Sequence, residues 1–219
     1  MTLSRFLIEY YPNIFVIAAG IVALISFRRR FPLHFKTLLI FVFLYAVVDT
    51  IGNIMAAFYE LPNHFLYNIL YGIQYLVIAF FYYYILKNTS LKKVILGFFF
   101  LFPLFFIVNS CWIQGFYILQ TYSIVLGGTF MLLFAIAYIW QVYTSLETQS
   151  IFRDPIFWFS LAWLFYYGLN VPYLGMLNYL LKNYPNFALE YYIKVIYVSD
   201  CLRSTLLIIG FLCKKAAMK

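Results

Sequence analysis

Two aspartates and one arginine interrupt apolar stretches that otherwise carry almost no charge, and they are the residues of this chain best placed to do chemistry. Asp200 and Arg203 lie inside the apolar run Tyr192 to Leu212, and Asp49 lies inside another from Thr37 to Tyr59. An ionisable group at the centre of a bilayer costs roughly 2.5 to 3.5 kcal/mol on insertion scales, so it persists where it finds a partner or a cavity. Asp200, Arg203 and Ser204 are spaced three and four residues apart, which puts them on one helix face with Ile196, Tyr197 and Leu207. Two carboxylates beside one arginine do not balance. One aspartate is expected to keep its proton, and Asp49, with no opposite charge on its own helix, is the one.

Counting about 1.5 Å per residue along each helix puts Asp49 and Asp200 at a similar depth, about 12 Å below one surface. Gln74, Ser123 and Asn170 come out near the same level, with Asn53, Asn68 and Gln120 closer to that surface and Arg203 about one turn deeper. The expected arrangement is a polar pocket opening to one side. Asp49, Asp200 and Arg203 form its floor, with Asn53, Gln74, Gln120, Ser123 and Asn170 around them and Tyr71, Tyr75, Trp163, Tyr167 and Tyr197 as aromatic walls. Each feature also has a plainer explanation. Asp200 and Arg203 serve equally as an ion pair that fixes helix register. Asn and Gln commonly join helices by hydrogen bonds, aromatic stripes are commonly core, Gly52 and Ala56 suit a close helix contact, and Lys194 suits an interfacial anchor.

Other chemistry is excluded by what is missing. The two histidines, His34 and His64, fall on opposite sides of the expected membrane, so no multi-histidine metal site is available and no metal is expected. The chain has no glycine-rich phosphate loop, serine nucleophile elbow or CxxC pair, and no cofactor is expected. A retinal protein needs a lysine buried mid-membrane for its Schiff base; the last segment offers Arg203 instead. Cys111, Cys201 and Cys213 are too far apart in depth to pair, so all three are expected as free thiols.

The elements that must hold these residues are helices in lipid. Hydrophobic residues make up 66% of the chain and charged ones 10%, far too apolar for a soluble domain of 219 residues. Seven runs are long enough to cross the hydrocarbon, near 8–27, 37–59, 65–86, 94–108, 116–140, 156–176 and 192–212. The expected fold is therefore all-α: a polytopic integral membrane protein with one seven-helix transmembrane domain over 1–219, in a plasma or inner membrane. The fourth run, free of ionisable residues, is expected to face lipid most or to link two halves. Pro172 is expected to kink the sixth. Of 15 basic residues, the 11 at Arg28, Arg29, Arg30, Lys36, Lys87, Lys92, Lys93, Arg153, Lys214, Lys215 and Lys219 share one side. The positive-inside rule then puts the N-terminus outside and the C-terminus inside. Their scatter between apolar runs also makes +8 a mark of topology rather than of nucleic-acid binding. With its basic cluster after the first apolar run, that run is expected to stay as an anchor rather than be removed as a signal peptide.

Three functions fit. The leading expectation is a sensory or receptor-like subunit that binds an unknown small ligand from outside and signals to a separate cytoplasmic or membrane partner through Arg28 to Lys36, Gln141 to Pro155 and the basic tail. Second is a small transporter using Asp49 and the Asp200/Arg203 pair for proton coupling, in a form that includes a homo-oligomer. Third is an intramembrane lipid-modifying enzyme with Asp49 and Asp200 as acid and base. Enzyme activity is the least expected of the three.

Overall fold

In the computed structural model, residues 11–27, 31–145 and 151–213 are described. The expected signalling surface rests largely on 28–30, 146–150 and 214–219, which lie outside them. The described residues form seven long α-helices: α1 (Pro12–Ser26), α2 (Leu33–Tyr59), α3 (His64–Ile85), α4 (Thr89–Val108), α5 (Thr121–Thr144), α6 (Pro155–Asn183) and α7 (Pro185–Leu212). Five regions are long and apolar enough to cross a membrane: α2, α3, α4 with the π turn Asn109–Ile113 that extends it, α5 and α7. Helix α1 is apolar but has only 15 residues in its described range. Helix α6 is long but less apolar, because its inner face carries Ser160, Trp163, Tyr166, Tyr167 and Asn170, all buried against other helices. A helix wrapped by protein needs fewer aliphatic side chains than one facing lipid.

Local chemistry explains several helix starts. Proline stands in the first turn of α1, α6 and α7, where its missing N–H costs nothing and its fixed φ suits the helix. Asn88 caps α4 by accepting from the N–H groups of Ser90 and Leu91 at 2.8 and 3.2 Å. That cap starts α4 five residues before the expected Val94. Asp154 caps α6 through the Ile156 N–H at 3.2 Å and accepts from the Tyr138 hydroxyl of α5 at 2.6 Å.

Two further regions differ from expectation. The fifth helix begins at Thr121, not near 116, because Asn68 of α3 holds the preceding segment in an irregular path. Its amide donates to the Phe116 and Ile118 carbonyls at 2.7 and 2.8 Å, while its oxygen accepts from the Gln120 N–H at 3.1 Å. The loop expected over Leu181 to Tyr191 is also largely absent. Helix α6 continues through Pro172 to Asn183, and Pro185 starts α7 after the single residue Tyr184.

The helices pack as a ring in which α1 meets α2, α2 meets α3, α3 meets α5, α5 meets α6, α6 meets α7, and α7 returns to α1. Helix α4 stands outside it, mainly against α3, and buries the smallest share of its apolar window of the five candidate spans. Phe100, Leu101 and Leu104 on α4 are largely exposed, as are Ile25 and Leu33 on α1 and α2, consistent with a surface made for an apolar solvent. Inside the ring, Tyr75 of α3 lies against Gly127 of α5 so closely that an added Cβ would stand 2.5 Å from the ring. At one end of the bundle Phe35, Phe81, Phe159 and Phe211 join in a continuous set of ring contacts, with centroids 4.8 to 6.0 Å apart. That aromatic layer fills the interior near Lys36, Lys87 and Arg153.

Candidate functional site

At the opposite end, α1, α2, α3 and α7 surround a cavity of about 310 Å³. Asp49 and Asp200 both line it, so the carboxylates of the second and seventh helices meet one space. Helix α2 places Asp49 nearly three turns before its end, on the inward face that also carries Tyr45 and Gly52. Its carboxylate accepts from the Tyr67 hydroxyl at 3.1 Å and from the Asn53 amide at 3.2 Å, one turn along the same helix. The Tyr67 hydroxyl also lies 3.2 Å from the Asn53 carbonyl oxygen. Asp49 is only 8% exposed, and no Lys or Arg of the described residues forms an ion pair with it.

Asp200 is compensated. Its Oδ1 lies 2.7 Å from Nη2 of Arg203, three residues on, as a close ion pair without hydrogen-bond alignment. The guanidinium is 2% exposed and sandwiched between the rings of Tyr45 (4.2 Å to the centroid) and Tyr166 (4.3 Å). Such stacking on both faces suits a planar, weakly hydrated cation and would not suit lysine. Arg203 does not line the large cavity. It borders a separate void of about 10 Å³ with Tyr45, Trp163 and Ser204, a space the size of one water. So the arginine turns inward, one layer behind Asp200, rather than out to a lipid surface.

Polar capacity on the cavity wall is left over. Asn13, in the first turn of α1, lines the cavity and accepts from Thr50 through its oxygen at 3.0 Å, yet its buried amide nitrogen has no partner among the described residues. The remaining walls are largely phenol rings: Tyr67 and Tyr71 from α3, and Tyr192 and Tyr197 from α7. Tyr71 also places its hydroxyl 3.5 Å from that of Tyr166, connecting the wall to the arginine sandwich.

Of the residues singled out in sequence, Asp49, Asn53, Tyr71, Tyr197 and Asp200 line this cavity, with Arg203 and Trp163 just behind it. The others lie elsewhere. Gln74 donates to the Tyr167 hydroxyl at 2.6 Å, and Tyr75 to the Ile124 carbonyl at 3.1 Å, in the packed centre between α3, α5 and α6. Asn170 donates to Ser199 at 2.7 Å and to the Tyr166 carbonyl of its own helix at 2.8 Å, joining α6 to α7. Gln120 and Ser123 belong to a second network around the π turn. There Asn109 donates to Ser123 at 2.8 Å and Gln120 to Ser110 at 2.7 Å, fastening α4 to the start of α5. Depth counting does not fix a helix's rotation about its axis, so it did not separate these residues from those that line the cavity.

Tyr45, Tyr67, Tyr192 and Asn13 were missed as site residues. Tyr45 and Tyr67 had a readable signal: one stands four residues before Asp49, the other four before Tyr71, each one turn from a residue already chosen. Asn13 had none, because a polar residue in a first turn reads as a cap. Among the described residues no group of three or more His, Cys, Asp and Glu side chains is placed to hold a metal ion. Compared with known protein families, curated proteins and solved structures, this chain matches none, so the cavity and its residues carry the functional reading.

Proposed function

We propose that all seven helices cross a bilayer, with the cavity end outside and the basic end inside, and that the protein is a receptor-like subunit binding a small ligand in the Asp49/Asp200 cavity. The observation that carries this reading is the cavity itself: about 310 Å³, at the low end for small-molecule sites, with a few polar groups set among aromatic walls. Orientation follows from charge. Lys36, Lys87, Lys92, Lys93 and Arg153 flank helix ends at the phenylalanine layer, away from the cavity, and basic residues favour the inner side. Signal output is assigned to a separate partner engaging the basic end.

Binding without passage is favoured over transport in this conformation because, among the described residues, packed side chains lie beneath the cavity. Beneath Asp200 lie the stacked Arg203, then Trp163, then the layer of Phe35, Phe81, Phe159 and Phe211, all buried. The test is to reconstitute the chain in nanodiscs and in sealed liposomes. Nanodisc protein titrated with a charge-graded panel of small solutes should show saturable binding, and the liposomes should show no uptake of the solute that binds. Uptake above protein-free liposomes would establish the transporter reading instead, and turnover of the host lipid would establish the enzyme.

A further inference from the structure

Resting on the ligand-binding reading above, we infer that the cavity takes a compact organic cation, an amine or a quaternary ammonium. Charge placement argues for this class. Two carboxylates face the space, and the arginine that could receive an anion is withdrawn: it is paired to Asp200, covered on both ring faces and absent from the cavity lining. The nearby α7 cation Lys194 is committed to Glu190 at 2.6 Å and is also no part of the lining. His64, exposed at the start of α3, is the remaining described side chain on the lining able to carry positive charge. An anion entering here meets two carboxylates and no available guanidinium. With a neutral solute Asp49 has no counter-charge and keeps its proton, as expected from the sequence, whereas an entering cation supplies the counter-charge that lets the carboxylate form and pair.

The walls point the same way. Tyr67, Tyr71, Tyr192 and Tyr197 line the space from two helices, so aromatic rings border it on more than one side, the wall composition that cation–π recognition uses. Tyr67 spends its hydroxyl on Asp49, which fixes the carboxylate in place while leaving the ring as wall. The unpartnered Asn13 amide supplies a donor for a hydroxyl or carbonyl elsewhere on the ligand. An amino alcohol or its N-methylated form combines both functions within this volume.

The experiment uses full-length protein in nanodiscs and three solutes of matched size: choline, its neutral carbon isostere 3,3-dimethylbutan-1-ol, and the anion 3,3-dimethylbutanoate. Calorimetry should give choline at least a tenfold advantage over the neutral isostere, with no anion binding. In Asp49→Asn, checked for an unchanged melting temperature, that advantage should collapse to within about twofold. Tyr71→Leu provides a second variant and should lower the choline preference at least threefold. Equal binding of choline and the neutral isostere, or a preference intact in D49N, overturns the cation assignment and leaves the pocket standing. Binding of none of the three overturns the pocket as well.

Discussion

Replacing Arg203 by methionine removes the positive charge that pairs with Asp200 while keeping most of the side-chain volume between Tyr45 and Tyr166. The arginine is 2% exposed and paired at 2.7 Å, so its loss strands a carboxylate in an aromatic interior. Breaking one partner of a buried pair costs about 3–5 kcal/mol, whereas replacing both partners by uncharged groups is often close to neutral. Arg203→Met alone should therefore destabilise the bundle by about 3–5 kcal/mol, and adding Asp200→Asn should recover at least half of it. For a chain of this length, roughly 2–4 °C of melting temperature corresponds to 1 kcal/mol, so R203M should melt about 6–20 °C lower. The assay is thermal unfolding of wild type, both single variants and the double variant in one detergent, read as a double-mutant cycle. An R203M protein within about 1 kcal/mol of wild type, or a double variant no more stable than R203M, would falsify the buried-pair account.

Other consequences follow from single contacts. Gly127→Ala should cost about 1–3 kcal/mol, since its Cβ would stand 2.5 Å from the fully buried Tyr75 ring, and thermal unfolding checks this. Asn68→Ala removes three hydrogen bonds to the 116–120 segment and should accelerate hydrogen exchange there, starting with the Gln120 amide, at a cost of about 1–3 kcal/mol. Asp154→Ala loses both the α6 cap and the Tyr138 bond and should destabilise by about 1–3 kcal/mol, with Asp154→Asn keeping much of the cap. Asn88→Ala should cost about 1 kcal/mol and fray the first turn of α4, visible as faster exchange at Ser90 and Leu91.

Burial of charge is what made the site legible before any coordinates. Asp49, Asp200 and Arg203 violate the apolar pattern, and a violation that costs several kcal/mol has to be compensated by a neighbour, so their meeting could be argued from depth alone. Uncharged polar residues give no such constraint. Gln120 and Ser123 bind a turn rather than the cavity, and Asn170 joins two helices, because an amide or hydroxyl is satisfied by whichever backbone or side chain lies nearest. Tyrosines were ambiguous for a related reason: Tyr75 and Tyr167 pack in the centre while Tyr67 and Tyr192 line the space, and all carry the same phenol. Helix existence was readable from apolar run length. Ends were not, since Asn68 reshapes a segment nearly fifty residues away and Tyr184 alone separates α6 from α7.

Ring closure of α1 on α7 also orders events during synthesis. Asp49 enters the bilayer with the second helix, but Asp200, Arg203, Tyr192 and Tyr197 emerge from the ribosome only with the seventh. Until then the early helices present an open seam with a carboxylate on it. A chain arrested before α7 should consequently be held by membrane chaperones or degraded, and arrival of the final helix is the step that completes the cavity.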